Sequence, residues 1–295
     1  MGVDGFRLDA VRHLVEQGDQ VSNTPGTHAV LRDYGSYVRS IAPQSYTIGE
    51  VWDSTGAILS YYPDQLDAYF AFPVSETLIE AVKSGKAGRL LAEVQRFQAA
   101  VPAYRWAPFQ RNHDQTRTLT ALGNDVAGAK LAATILLTLP GVPFVYYGEE
   151  IGMTGDKPDE RLRTPMQWAR APAAGFTRGK PWEALQADSF TANVATESRD
   201  TASLLSLYRR LMHMRAANSA LRDGELVPVE TGKESVLAYI RRDSTRAVLV
   251  AANLGTTPAG GIAVPQGYRL RGRTGGALPA LAPRRAYIFE LGRSP

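Results

Sequence analysis

The chain contains no cysteine. Disulfides, thiolate metal sites and cysteine nucleophiles are thereby excluded, while the compartment stays open, because a cysteine-free chain suits reducing and oxidising surroundings alike. No apolar run reaches bilayer length. The longest, Leu131 to Val145, is cut by Pro140 and Gly141, so no membrane-spanning helix and no membrane partner are expected. An export signal is also missing at the start as written: Met1 leads straight into GVDGFRLDAV, which has neither a basic opening nor an apolar stretch. As it stands the chain reads as cytoplasmic. Nor is there a dense basic run. The 33 Lys and Arg against 29 Asp and Glu leave a formal charge of +4, scattered in short pairs such as Arg209-Arg210 and Arg241-Arg242. Nucleic-acid binding needs basic residues gathered on one face with aromatics among them, so it is set aside.

What is present is a globular composition. With 44% hydrophobic and 21% charged residues in 295, the chain can bury one sizeable core and a small satellite. Short β-rich runs alternate with helical patterns through the first two-thirds: Val3 to Leu8, Ser45 to Val51, Leu66 to Phe72, Trp106 to Arg111 and Val142 to Tyr147. That alternation predicts parallel βα units. Thr24-Pro25 reads as an N-cap with proline at the first helical position, for a helix reaching Ile41. Further helices are predicted over Ser75 to Ala99, Asp125 to Leu139 and Thr201 to Ala217, the last with Leu204, Leu207, Leu211 and Met214 on its apolar face and His213 beside it as a packed or solvated residue. A polar insertion rich in Gly, Pro and Asp runs from Glu149 to about Arg199, too long for an ordinary βα connection. From Leu221 short alternating strands predict a small antiparallel β-domain, giving units 1–220 and 221–295. Arg269 to Gly276 reads as a loop.

Three of the predicted strands end in acids, in Gly5-Phe6-Arg7-Leu8-Asp9, Ile48-Gly49-Glu50-Val51-Trp52 and Gln110-Arg111-Asn112-His113-Asp114. In parallel barrels catalytic groups stand where strands end. Retaining glycoside hydrolysis needs an ionised carboxylate as nucleophile and a protonated carboxyl as acid. Arg7 precedes Asp9 by two residues, so both side chains face one way and the guanidinium can keep Asp9 ionised, which makes Asp9 the expected nucleophile. Glu50 has no cation at the matching position and is followed by Val51 and Trp52, whose apolar wall would raise its pKa toward acid/base duty.

These segments resemble, residue by residue and in order, the second, third and fourth conserved regions of the α-amylase family, glycoside hydrolase family 13. The resemblance extends to Phe144-Val145-Tyr146-Tyr147-Gly148-Glu149-Glu150 and Arg163-Thr164-Pro165-Met166-Gln167-Trp168. It implies that Asp114 stabilises the transition state, that His113 binds substrate hydroxyls, and that Arg12 and His13 line a leaving-group subsite. Arg7, Trp52 and Arg117 are placed with them as substrate-side residues. Trp168 is either a packed loop residue or a sugar contact. The implied fold is strands four to eight of a (β/α)8 barrel followed by a β-sandwich, with the first three βα units and the first conserved region expected to be missing. The implied reaction is cleavage of α-1,4-glucosidic bonds in starch or malto-oligosaccharides, with a transglycosylase of trehalose-synthase type and a non-catalytic glucan-binding remnant as alternatives. No cofactor is expected. Family members that bind calcium use ligands mostly lacking here, the carbonyl of His13 being the surviving candidate, so tight calcium binding is not expected. An open sheet would leave parallel edges exposed, and self-association to complete it is expected.

Overall fold

The computed structural model describes residues 2–272 and 276–293; residues 273–275 of the Arg- and Gly-rich tract lie outside them. Strands β1 (Gly5–Leu8), β2 (Tyr46–Gly49), β3 (Ala68–Phe70) and β4 (Trp106–Ala107) form a parallel sheet in that order. Their register sets Arg7 opposite Ile48 and Leu8 opposite Gly49. The run Val142 to Tyr147, expected as a fifth strand, joins through a single parallel bridge from Phe109 to Phe144. Val142 and Phe144 each donate across to β4 and its extension, to Trp106 and Pro108 carbonyls at 2.9 Å. Pro108 and Pro143 have no N–H to give back, which thins the ladder to these bonds. Among the described residues β1 pairs with β2 alone, so its other edge carries no strand.

The helix Pro25–Ile41 starts as expected, with the Thr24 hydroxyl accepting from the Thr27 N–H at 3.0 Å. The long helix expected from Ser75 divides into Phe72–Ser84 and Leu90–Ala100, because Gly85 ends the first in the left-handed region at φ 73°. Asp125 caps Val126–Thr138 by accepting from the Gly128 N–H at 3.0 Å. In the last long helix, Leu204–Ala217, the buried face is Leu204, Leu205, Tyr208, Leu211 and Arg215. The expected stripe is therefore rotated, and Met214 and His213 are exposed. Tyr208 and Arg215 can lie inside because both find polar partners there. No helix of the described residues is long and apolar enough to cross a membrane.

The expected boundary after residue 220 falls within the short helix Ser219–Arg222. Beyond it β5 (Glu225–Pro228), β6 (Val236–Arg242), β7 (Ala247–Asn253), β8 (Tyr268–Leu270) and β9 (Arg285–Arg293) form one antiparallel sheet, ordered β5-β6-β7-β9-β8. Among the described residues the expected sandwich is a single sheet, with one face covered by segments joined through isolated bridges. Isolated bridges Ala259–Leu281 and Ala263–Ala277 lay Ala259, Ile262, Leu278 and Leu281 over Val236, Ile240 and Leu249. Pro258, Pro265, Pro279 and Pro283 keep that layer from closing a ladder.

The opposite face of this sheet joins the main core, with Leu237, Tyr239 and Val250 in one apolar cluster with Leu131, Ile135 and Leu211. Two buried guanidiniums complete the joint. Arg215 donates to the carbonyls of Leu137 at 3.0 Å, Leu139 at 2.7 Å and Gly141 at 2.6 Å, and Arg241 donates to those of Thr138 and Gly224. They satisfy the carbonyls that the end of helix Val126–Thr138 leaves open. Removing Arg215 strands buried acceptors at about 1–3 kcal/mol each. Arg215→Ala is therefore expected to lose about 3 kcal/mol in urea unfolding; a loss below about 1 kcal/mol would show that water replaces the guanidinium freely.

Candidate active site

Because side chains alternate along strands, Gly5, Arg7 and Asp9 share a face with Ile48 and Glu50. The Glu50 N–H donates to the Leu8 carbonyl at 3.0 Å and the Val11 N–H to the Glu50 carbonyl at 3.1 Å, which carries the β1–β2 pairing past the strand ends. Asp9 and Glu50 therefore stand side by side. Between them Ala10 takes a left-handed φ of 41° without being glycine, a strained turn that aims its N–H at the Glu50 carboxyl.

Arg7 donates to Asp9 through one Nη and to Glu50 through the other. This corrects the expectation that Glu50 lacks a cation. Spacing along one strand counts only neighbours on that strand, whereas the parallel register brings Arg7 within reach of both acids. Each carboxyl also shifts the pKa of the other, Glu50 lowering Asp9 and Asp9 raising Glu50. Asp9 is held below the usual carboxylate range, first by its hydrogen bond from Arg7 and then by Glu50. Glu50 is shifted up, above all by burial, which outweighs the attraction of Arg7. Two neighbouring acids are thus driven apart in pKa by their surroundings.

The third acid follows an Asx turn in which the Asn112 Oδ1 accepts from the Asp114 N–H at 3.0 Å. His113 Nε2 lies 3.1 Å from Asp114. Arg163, unremarked as a site residue from sequence, grips this turn: it donates to the Asp114 carboxylate at 2.7 Å and to the His113 carbonyl at 3.1 Å. It opens the stretch that includes Trp168, which is 50% exposed. The signal lay in that stretch, at its cation rather than its aromatic. His113 and Asn112 line a cavity of about 150 Å³ together with Arg7, Glu50, Phe70, Phe109 and Phe144.

The remaining expected residues fall outside this centre to different degrees. Trp52 stands at the rim, stacked on Phe72 at 5.0 Å, and donates to Glu76 at 3.2 Å. Arg12 pairs with Asp53 at 3.1 Å and donates to the Trp52 carbonyl, so it braces the turn that carries Trp52. His13 turns its Nδ1 to the Val21 carbonyl at 2.8 Å. Arg117 is corrected from a substrate-side residue to an internal one: it is 1% exposed, donates to the carbonyls of Leu162 and Tyr147, and lies 4.6 Å and 4.8 Å from the rings of Tyr146 and Tyr147. Desolvation forces a guanidinium in such a place to take carbonyls and aromatic faces as partners. Among the described residues no three His, Asp or Glu side chains gather to hold a metal.

Behind the third strand end a buried chain of polar groups runs from Gln110, which donates to the Tyr208 hydroxyl at 2.8 Å, to Glu149, which accepts from that hydroxyl at 2.7 Å. Burial lifts Glu149 to about 8, with Glu150 adding repulsion and Arg117 a weaker opposing pull. A folded pKa above the unfolded value of an acid means that the native state holds the extra proton, so stability falls as pH rises between about 4.5 and 8. Glu149→Gln should flatten that fall and raise Tm at pH 8 by roughly 5 °C or more; an unchanged pH dependence in thermal melts would contradict the assignment.

A parallel βα sheet with three acids at its strand ends, two of them clasped by one arginine, defines the class to which the chain belongs. Residues 1–224 match the family described as alpha amylase, catalytic domain. The chain is a member of the α-amylase family. It is 35% identical over 260 residues to alpha-amylase 3 of Dictyoglomus thermophilum, covering 86% of this chain and 50% of that protein. It is 30% identical over 302 residues to a trehalose synthase of Thermus thermophilus, covering 86% of this chain and 31% of that one. The crystal structure of an α-amylase from H. orenii superposes with a TM-score of 0.80 at 30% identity, over 99% of this chain and 61% of the other. The chain spans about half the length, or less, of these curated relatives.

Proposed function

We propose that the chain carries the catalytic carboxylates of a retaining glycosidase acting on α-1,4-linked glucans or malto-oligosaccharides, on strands four to eight of a (β/α)8 barrel. The pairing of Asp9 and Glu50 with a single guanidinium, that of Arg7, carries this reading. Inverting enzymes keep their acids about 6.5–9.5 Å apart to admit a water, whereas retaining ones hold them closer so that one acid can attack. Asp9, ionised and open to solvent on one side, attacks the anomeric carbon as the glycosidic C–O bond breaks. Glu50, its proton retained by burial, delivers that proton to the departing oxygen. It then takes a proton from the water that hydrolyses the glycosyl ester on Asp9. In this reading Asp114 faces the positive charge that develops on the sugar, and His113 beside it takes a ring hydroxyl.

A transferase reading is supported by the likeness to a trehalose synthase, since the same carboxylates serve when a sugar hydroxyl replaces water. The test is release of reducing sugar from maltoheptaose by the purified chain beside Asp9→Asn. Turnover that falls at least about 10³-fold in Asp9→Asn is expected, with Glu50→Gln losing the alkaline limb of the pH profile. Rearranged disaccharides without net hydrolysis would favour transfer, and binding without turnover would leave a glucan-binding unit.

The open edge of β1 belongs to the same reading. Parallel sheets are normally covered on their faces and closed at their edges, and a second copy of the chain would supply a strand there. Sedimentation at micromolar concentration should give a mass above that of one chain; a strictly monomeric species contradicts self-association.

A further inference from the structure

Arg111 lines the catalytic cavity with Arg7, Glu50 and His113, yet among the described residues it closes no salt bridge, and its buried Nε has no hydrogen-bond partner. The nearest opposing charge acting on it is Glu76, beyond ion-pair distance, and burial without a partner pulls its pKa down. Among the described residues the neighbouring arginines each close a salt bridge: Arg7 holds two acids, Arg12 holds Asp53, and Arg163 holds Asp114. A guanidinium left unpaired in a partly dry cavity carries a desolvation cost that a ligand's oxygens would remove.

Its position says which part of a ligand would do so. Arg111 lines the cavity together with Phe109 and Phe72. Phe109 meets Phe72 edge-on at 5.0 Å, and Phe72 stacks beneath Trp52 at 5.0 Å with the rings 13° apart. Glu76 accepts from the Trp52 indole at 3.2 Å and so orients it. Trp52 follows Glu50 by two residues. A general acid must sit within hydrogen-bond reach of the oxygen it protonates, so the departing sugar lies beside Glu50, in the cavity that Arg111 lines together with Phe72, the ring on which Trp52 stacks.

We propose that Arg111 recognises the sugar on the leaving-group side of the cleaved bond, its planar fork taking two adjacent hydroxyls of a pyranose whose apolar face rests on Trp52. This rests on the glycosidase reading above. The same contact would hold an incoming acceptor sugar, and so would set the balance of transfer against hydrolysis. Lysine would not replace it, because one ammonium cannot match two hydroxyls in a plane.

The test compares Arg111→Ala and Arg111→Lys with the parent chain on maltoheptaose and on α-glucosyl fluoride, whose leaving group is a single atom with no ring to recognise. kcat/KM on maltoheptaose is expected to fall about 10- to 100-fold in Arg111→Ala, with partial recovery in Arg111→Lys, and by at least about tenfold more than kcat/KM on the fluoride falls in the same variant. Equal losses on both substrates, or none on either, overturn the inference. If the parent binds maltoheptaose without turning it over, the dissociation constant from tryptophan fluorescence is read instead: about a tenfold weakening in Arg111→Ala supports the inference and an unchanged value overturns it. A parent chain that neither turns over nor binds the sugar overturns the glycosidase reading itself. Matching thermal melts separate these outcomes from loss of folding.

Discussion

The site is organised by a single guanidinium that serves two carboxylates. Arg7 lies on β1 where the parallel register places Asp9 at its own strand end and Glu50 at the neighbouring one, and it donates to each. Without that shared cation two adjacent acids would repel, and one would be forced to keep a proton regardless of its surroundings. With it, the choice passes to the environment. Asp9 stands in the open and gathers hydrogen bonds, so it ionises easily; Glu50 is buried, so it keeps its proton longer. The proposed division of labour between nucleophile and acid would follow from that difference in desolvation.

The same chemistry recurs around the site for other ends. Arg163 ties the long insertion to the His113–Asp114 turn, and Arg117 fastens Leu162 and Tyr147 beneath it. Arg215 and Arg241 take the carbonyls released where a helix stops and a proline-containing turn begins. Arginine suits all four places because its donors diverge from one rigid plane, so one side chain can satisfy several backbone oxygens that a strand or helix has abandoned. Arg111 differs in that, among the described residues, its buried Nε meets no acceptor and it closes no salt bridge.

Local rules carried a good part of the reading. Period-two alternation placed Arg7 and Asp9 on one face, and Thr24, Pro25 and Asp125 marked helix starts, because caps and alternation depend on residues within a few positions of each other. Distance along the chain defeated the rest. Glu50 seemed to lack a cation while Arg7, 43 positions away, lay beside it. Met214 was given to the core by spacing yet is exposed, while Tyr208 turned inward, where Gln110 and Glu149 meet its hydroxyl. Prolines 108 and 143 reduced an apolar run to a single bridge, an outcome that depends on which strand they face.

By itself the sequence determined the parallel βα character, the antiparallel tail, the chemical types of the three acids and their place at strand ends. These are written in short-range periodicity and in turn residues. Only the tertiary structure decided which cation serves which acid, that Arg117 lies inside and that Arg163 reaches the site. It also left Arg111 unpaired. The physical reason is that charge pairing and desolvation depend on separations in space, and these exist only once strands from distant parts of the chain have been set in register.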